Sequence, residues 1–379
     1  MMNIPVTKPV MGEEETRTVA ERLLSGWLVQ GPKVAEFETR WAEFVGARFA
    51  CATTSCTTAL HLALVGMGVQ PGDQVIVPAF TWIATANVVE YCGATPVFAD
   101  IDLRTFNIDP AQIENKITKQ TKVIMPVHEF GLSADVDAIL ALARRHNLRV
   151  VEDAACACGT RYRGQHVGTF GEVGCFSFHP RKAITTGEGG MLTTNDAALA
   201  QLFHVLRSHG AETSDLARHQ SATGFVLPEF NRLGYNYRMT DLQGAIGVEQ
   251  MKKLDWILKQ RRARAERYTE FLQNVPGLRL PIEPPGYTHV YQSYATFVEA
   301  SHAERDRVAL ALQAKGIATR QATHAVHALG YYRNKYGLRP EDYPRAWAAD
   351  QQSMTLPLYA TMTDEEQDYV IAALKAEMR

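Results

Sequence analysis

The stretch "SFHPRKAITTGEGGM", residues 177–191, carries a lysine between an apolar run and a glycine-rich loop. A lysine beside glycines often grips phosphate, but the order of the residues decides. In a GxxxxGK[ST] loop the glycines precede the lysine and a helix follows. Here the glycines come after Lys182 and lead into "GMLTTN" (190–195), a β-rich segment, and no GxxxxGK[ST] occurs in the chain. Lys182 therefore stands just past one strand and ahead of another, which disfavours a glycine–lysine phosphate grip and leaves chemistry at the amine.

Working outward, short apolar runs alternate with helical patterns. "RFACATT" (48–54), "QVIVPAF" (74–80), "TPVFADI" (95–101), "KVIMPVH" (122–128), "LRVVEDA" (148–154) and "GCFSF" (174–178) join "GMLTTN" as seven candidate strands. Helical spacing marks "TTALHLALVGMG", "TWIATANVVEYCG" and "DVDAILALARRHN" (135–147) between them. Nearly all-apolar strands joined by helices indicate a mostly parallel sheet covered on both faces, an α/β domain. After about residue 240 the pattern changes to one long helical stretch beginning "TDLQGAIG", with Thr240 or Asp241 as N-cap. A Pro/Gly-rich connector, "PGLRLPIEPPGYTH", a strand "SYATFVEA" and a helix "ERDRVALALQAKG" follow, with a last helix after "MTDEEQ". The expected division is a large α/β domain with the N-terminal segment over 1–250 and a smaller α+β domain over 251–379.

Bulk properties narrow the function. The 379 residues are 46% hydrophobic and 21% charged with a net charge of -2, ordinary for a globular protein and without a clustered basic face for nucleic acid. No apolar run approaches the roughly 20 residues that span a bilayer. The start, "MMNIPVTKPVMGEEET", lacks a signal-peptide layout, so a cytoplasmic protein is expected. The six cysteines fit no zinc spacing and read as buried, reduced thiols; no metal site is expected. "GMGVQPG" (66–72) follows a helix and spaces its glycines wrongly for a dinucleotide fingerprint.

Ligands of open parallel sheets bind outside the carboxyl ends of the strands. The segments there are "TTSCTT" (53–58), "PAFTW" (78–82), "VHEFG" (127–131), "EDAACAC" (152–158) and "SFHPRK" (177–182), which supply hydroxyls, an acid, aromatics and one lysine. A lysine past one strand end, an aspartate at another and hydroxyls at a helix N-terminus are what pyridoxal 5'-phosphate needs. The amine, its pKa lowered from about 10.4, forms the Schiff base. The carboxylate keeps the pyridine nitrogen protonated, and the helix N-terminus takes the phosphate.

"SCTTALHLAL", "PAFTWIATAN", "VVEDAACACGT", "GCFSFHPRKAITTGEGGM" and "GYNYRMTDLQGAIG" resemble the DegT/DnrJ/StrS-type sugar aminotransferases, pyridoxal-phosphate enzymes of the aspartate aminotransferase fold (fold type I). The resemblance runs in order from about residue 25 to residue 260 and continues more weakly through "HVYQSY" (289–294) and "LPLYATMTDEEQ" (356–367). It implies that Lys182 is the Schiff-base lysine and proton carrier and that Asp153 faces the pyridinium nitrogen. It further implies that Trp82 stacks on the cofactor ring and that Thr57, Ser177 and the Cys56 backbone hold the phosphate. Asn236 would reach the phosphate from a neighbouring subunit, making a homodimer with composite active sites. Cys56 stands where relatives usually have Gly, and Cys156, a cofactor neighbour, where they usually have Gln or His. His179, Arg238, His324 and His327 are substrate candidates; Arg181 and Glu188 have no assigned role. The implied reaction is a ping-pong transfer of an amino group from glutamate to a nucleotide-linked keto sugar, with a 4-keto-6-deoxy hexose ranked first. A sugar dehydratase, a cyclitol aminotransferase and a silent cofactor-binding regulator are the alternatives. Lys182 argues against the dehydratases, which carry His there, and the retained lysine and aspartate argue against a silent protein.

Overall fold

All seven apolar segments pair into one sheet in the computed structural model, which describes residues 2–212 and 229–378. The strands are β1 (Phe49–Thr53), β2 (Gln74–Pro78), β3 (Thr95–Ala99), β4 (Thr121–Ile124), β5 (Arg149–Asp153), β6 (Val173–Ser177) and β7 (Gly190–Thr194), in the spatial order β1-β7-β6-β5-β4-β2-β3. β2 pairs in parallel with β3 and β4, β4 with β5, and β5 with β6. Only β7 among them runs antiparallel, to both β6 and β1. The strands lack polar alternation because both faces are covered: Val75, Ile76 and Val77 are consecutive and each is 0% exposed.

The reversed direction of β7 matters for the site. Its amino end, not its carboxyl end, reaches the edge where the parallel strands finish, so residues 178–189 leave and return on one side of the sheet. Gly187 turns this loop at φ +83°. A Cβ on Gly190 would lie 2.2 Å from the Ser55 carbonyl oxygen, so only glycine lets β7 start against the turn that opens helix Cys56–Gly66.

Thr240 and Asp241, the two candidate caps, divide the work. Thr240 caps helix Asp241–Leu272, its hydroxyl accepting from the Gln243 N–H while the Gln243 side chain returns to the Thr240 N–H. Asp241 is fully buried and caps a different helix: its Oδ1 accepts from Lys33 N at 2.8 Å and Val34 N at 3.0 Å, at the start of helix Pro32–Val45.

Helix Asp241–Leu272 runs straight through the expected division at 250/251. Val248, Leu254 and Ile257 pack with Phe37 and Trp41 beside the large sheet, whereas Ala265, Tyr268 and Leu272 belong to the core of the C-terminal layer. That layer holds the antiparallel strands Leu278–Arg279, Tyr294–Val298 and Ser353–Leu356, with helices His302–Ala314 and Asp364–Glu377 among its elements. Ile4 lies in the same core and bridges to Ile317, so the first residues of the chain pack with the last hundred. Among the described residues no helix is long and apolar enough to cross a membrane.

Candidate active site

A cavity of about 380 Å³ opens at the carboxyl edge of the sheet, in the size range of small-molecule sites. Every strand-end segment singled out in the sequence contributes to it.

The first contribution is the start of helix Cys56–Gly66. Ser55 is the N-cap, its hydroxyl accepting from Thr58 N at 3.2 Å and the Thr58 hydroxyl accepting from Ser55 N at 3.0 Å. The cap leaves the next N–H groups, of Cys56 and Thr57, without intrahelical acceptors at the cavity wall, where an anion is favoured. Cys56 fits here because its side chain turns away into the main core and is 8% exposed. Ser177, at the end of β6, lines the same end of the cavity.

Asp153 ends β5 and is 4% exposed. Its Oδ2 accepts from the Thr85 hydroxyl at 2.9 Å and its Oδ1 from Ala155 N at 3.1 Å. Burial pushes its pKa up against these bonds, so a cationic ligand atom would relieve it. The preceding Glu152 fixes this strand end. It accepts from the backbone N–H groups of Gly168, Phe170 and Gly171 at 2.7 to 2.8 Å. It also meets His128 Nε2 at 3.0 Å. Because His128 Nδ1 accepts from Ala134 N, the ring proton sits on Nε2 and is donated to Glu152. Burial opposes the Glu152 charge, yet these donors hold its pKa below the usual range.

Lys182 follows a turn built by its own neighbours. Its N–H donates to the His179 carbonyl at 2.8 Å, His179 Nδ1 accepts from Arg181 N at 3.2 Å, and Gln292 Nε2 donates to the Arg181 carbonyl at 2.9 Å. His179 thus has a positional role that the sequence left open. Glu188 contributes its carbonyl, which accepts from Thr186 Oγ1 and Gln243 Nε2. The Lys182 amine reaches the thiol of Cys156 at 3.0 Å. The expected lowering of the Lys182 pKa is not found: burial pulls it down, but Cys156, Cys56 and Asp153 outweigh that, and the net direction is up. Cys156 also departs from the expected set of buried thiols, since it is half-buried and lines the cavity, while burial raises its own pKa.

Trp82 is 51% exposed at the cavity wall, not a core tryptophan, and its ring lies 5.7 Å from that of His324. His324 belongs to a short strand paired with Phe80–Thr81, so it stands beside Trp82. His327 does not: it is 0% exposed, bonds the Pro340 carbonyl through Nε2 and packs between Phe98 and Tyr343. It is a core histidine and drops out of the substrate candidates. Arg238 pairs with Thr53 along the backbone and Asn236 is exposed beside Ser208; neither lines this chain's own cavity.

Residues without an assignment from sequence also meet here. Arg320 and Arg181 add positive charge, the former with its pKa lowered by burial and by Arg181. Thr81, Thr85 and Glu129 extend inward from Asp153. Position at a strand end marked the segments holding Thr81 and Glu129, but nothing local distinguished them. Among the described residues, Glu38, Cys51 and His204 cluster as metal ligands would. The Arg207 guanidinium donates to both Glu38 and His204 and fills that place.

A family model described as the DegT/DnrJ/EryC1/StrS aminotransferase family matches residues 9–375. The chain belongs to that family. It is 42% identical over 375 residues to the spore coat polysaccharide biosynthesis protein SpsC of Bacillus subtilis, covering 98% of this chain and 96% of that protein. It is likewise 42% identical over 375 residues to GDP-perosamine synthase of Caulobacter vibrioides, covering 98% and 97%. The solved PLP form of the putative sugar aminotransferase Spr1654 of Streptococcus pneumoniae superposes with a TM-score of 0.92 at 31% identity, over 100% of this chain and 99% of that one. Like that aminotransferase, this member of the DegT/DnrJ/EryC1/StrS family has the fold type I architecture that the resemblance implied, built on the mostly parallel sheet expected from the strand pattern.

Proposed function

We propose that this aminotransferase moves an amino group from glutamate to a nucleotide-linked keto sugar, a 4-keto-6-deoxy hexose in first place. The chain is a PLP-dependent sugar aminotransferase, and pyridoxal 5'-phosphate is its cofactor. One observation carries the residue assignment: a buried carboxylate, a reactive-type lysine, a half-exposed tryptophan and a helix N-terminus face one cavity.

The residues fit the cofactor group by group. The N–H groups of Cys56 and Thr57, with the hydroxyls of Thr57 and Ser177, hold the phosphate. Asp153 offers its carboxylate to the ring nitrogen, whose positive charge offsets the cost of burying the acid. Trp82 covers a ring face. Bound this way, the cofactor supplies an electron sink that stabilises a carbanion next to the reacting nitrogen. Lys182 would hold the cofactor at its aldehyde carbon, and its amine, when free, would serve as the proton carrier of the site. Cys156 holds the displaced amine close, Arg320 suits the donor's carboxylate, and Arg181 stands near the cavity mouth for a diphosphate.

The Caulobacter relative, a GDP-perosamine synthase, supports a 4-keto sugar. Asn236 lies off its own cavity, which suits contact with a second subunit's phosphate, so the working unit is proposed to be a homodimer with composite sites. The free thiols suit a cytoplasmic home. The test is a panel of GDP-, UDP- and dTDP-linked keto sugars, with a cyclitol ketone, offered with glutamate. Turnover of a 4-keto-6-deoxy sugar is expected. A pyridoxyl adduct on a lysine other than Lys182 after borohydride reduction would sink the assignment.

A further inference from the structure

Arg261 is a buried charge with no acid beside it. It sits on helix Asp241–Leu272, 2% exposed, and among the described residues no carboxylate pairs with it. Its guanidinium donates only to backbone carbonyls: through Nη2 to Tyr291 at 3.0 Å and Gln292 at 2.6 Å, and through Nη1 to Leu358 at 3.2 Å. Burying a cation without a counter-ion is unfavourable, so these carbonyls are held at a cost in stability.

Two of the carbonyls belong to a strained turn. Tyr291 holds φ +49°, in the left-handed region that an aromatic residue rarely adopts. Its surroundings over-determine it: Tyr291 N donates to His289 Nδ1 at 3.0 Å, and the two rings stack at 3.9 Å. Strain of this kind concentrates at functional sites.

The turn has two arms, and both reach the cofactor cavity. One is the Gln292 side chain, whose Nε2 donates at 2.9 Å to the carbonyl of Arg181, the residue before Lys182. The other is backbone, where Val290 N donates to the Gly131 carbonyl at 3.1 Å. Gly131 is wedged between this arm and Cys156, since a Cβ on it would lie 3.1 Å from both Gln292 N and the Cys156 carbonyl oxygen. One arm thus ends beside Lys182 and the other beside Cys156, the pair whose amine and thiol meet at 3.0 Å.

We propose that Arg261 is a positioning residue: by holding the left-handed Tyr291 turn, it sets Lys182 against Cys156 in the cavity. The catalytic value of that placement rests on the Lys182 assignment under Proposed function. A planar fork of donors suits the task, because a single ammonium cannot span three carbonyls in this way.

Trace acylation followed by mass spectrometry reads the Lys182 midpoint in cofactor-free enzyme. Cys156 favours the ammonium, so Gln292→Leu and Arg261→Met should each lower that midpoint. Neither should lower it further in Cys156→Ala. In loaded enzyme each should lower kcat roughly threefold to tenfold, the effect of one lost hydrogen bond, with little change in the KM for glutamate. The double variant should fall no further than the worse single one, because Gln292 acts only from the turn that Arg261 holds. A purely structural Arg261 would change the melting temperature and leave the acylation midpoint in place. A wild-type midpoint in either single variant, or losses in kcat that multiply, overturns the proposal. Gln292 lies at the cavity wall outside the core, so Gln292→Leu decides the matter even if Arg261→Met unfolds. The midpoint is read without cofactor, whereas borohydride mapping tests the Lys182 assignment, so the two failures are distinct.

Discussion

The Lys182 amine donates to the Cys156 sulfur across 3.0 Å, so the nucleophile of the proposed reaction rests on a thiol when no aldehyde is bound. The thiol and nearby acids favour the ammonium and raise its pKa, against burial. Removing the thiol should therefore lower the pKa of Lys182. In cofactor-free Cys156→Ala, trace acylation of Lys182 followed by mass spectrometry should show a midpoint at lower pH than in the wild type. A midpoint that is unchanged or higher contradicts this role for the sulfur.

Lys182→Ala should lose turnover by at least the roughly 10²–10⁴-fold that a positioned acid–base contributes. It should still take up cofactor, because Asp153, Trp82 and the helix N-terminus remain. Equilibrium dialysis with pyridoxal phosphate, beside an assay with glutamate, separates the two effects.

Asp153→Asn replaces a charge by a neutral isostere while Thr85 and Ala155 keep a partner. We expect kcat to fall by on the order of 10²–10³, the magnitude seen when one electrostatic partner is removed. The bound cofactor's absorbance should shift its pH midpoint downward, since the ring nitrogen loses the anion that keeps it protonated.

Glu152 supports stability more than chemistry. Its replacement by Ala leaves the N–H groups of Gly168, Phe170 and Gly171 and the buried His128 ring without this acceptor. A loss of about 3–5 kcal/mol is expected from breaking such a buried pair. The Glu152 pKa is held below its ordinary 4.5 in the fold. Its contribution is therefore complete above that value and is lost as acid protonates the folded carboxyl. Urea unfolding at pH 7 and at pH 4 should show the mutational cost shrinking at the lower pH.

Glu129 has the opposite sign. Its pKa rises from 4.5 to about 8, so the unfolded chain ionises first and stability is lost progressively between those values. Glu129→Gln removes this dependence, and its melting temperature relative to wild type should increase from pH 5 to pH 8.

The large domain was open to reading because each strand in it is an apolar run that only two-sided burial explains, and because its ends carry polar residues at fixed places. The strand-end segments that hold Lys182, Asp153, Trp82, Thr57 and Ser177 were found that way, the family resemblance picked out the residues, and all five face one cavity. His327 shows the limit: a histidine beside substrate-like neighbours in the chain turns inward onto Phe98 and Tyr343, which lie elsewhere in the sequence. The reach of helix Asp241–Leu272 across two cores, and the return of Ile4 to the C-terminal layer, were equally invisible to local pattern.

From "SFHPRKAITTGEGGM" alone follow the strand before Lys182, the strand after it and the exclusion of a phosphate loop, since periodicity and residue order are local properties. Tertiary structure decided the rest. The antiparallel setting of β7 returns the loop to the reactive edge, and Gly190 passes against Ser55. Cys156 is brought to Lys182, and Thr81 is joined through Thr85 to Asp153. Protonation depends on burial and on partners far apart in the chain, and those exist only once the strands have paired.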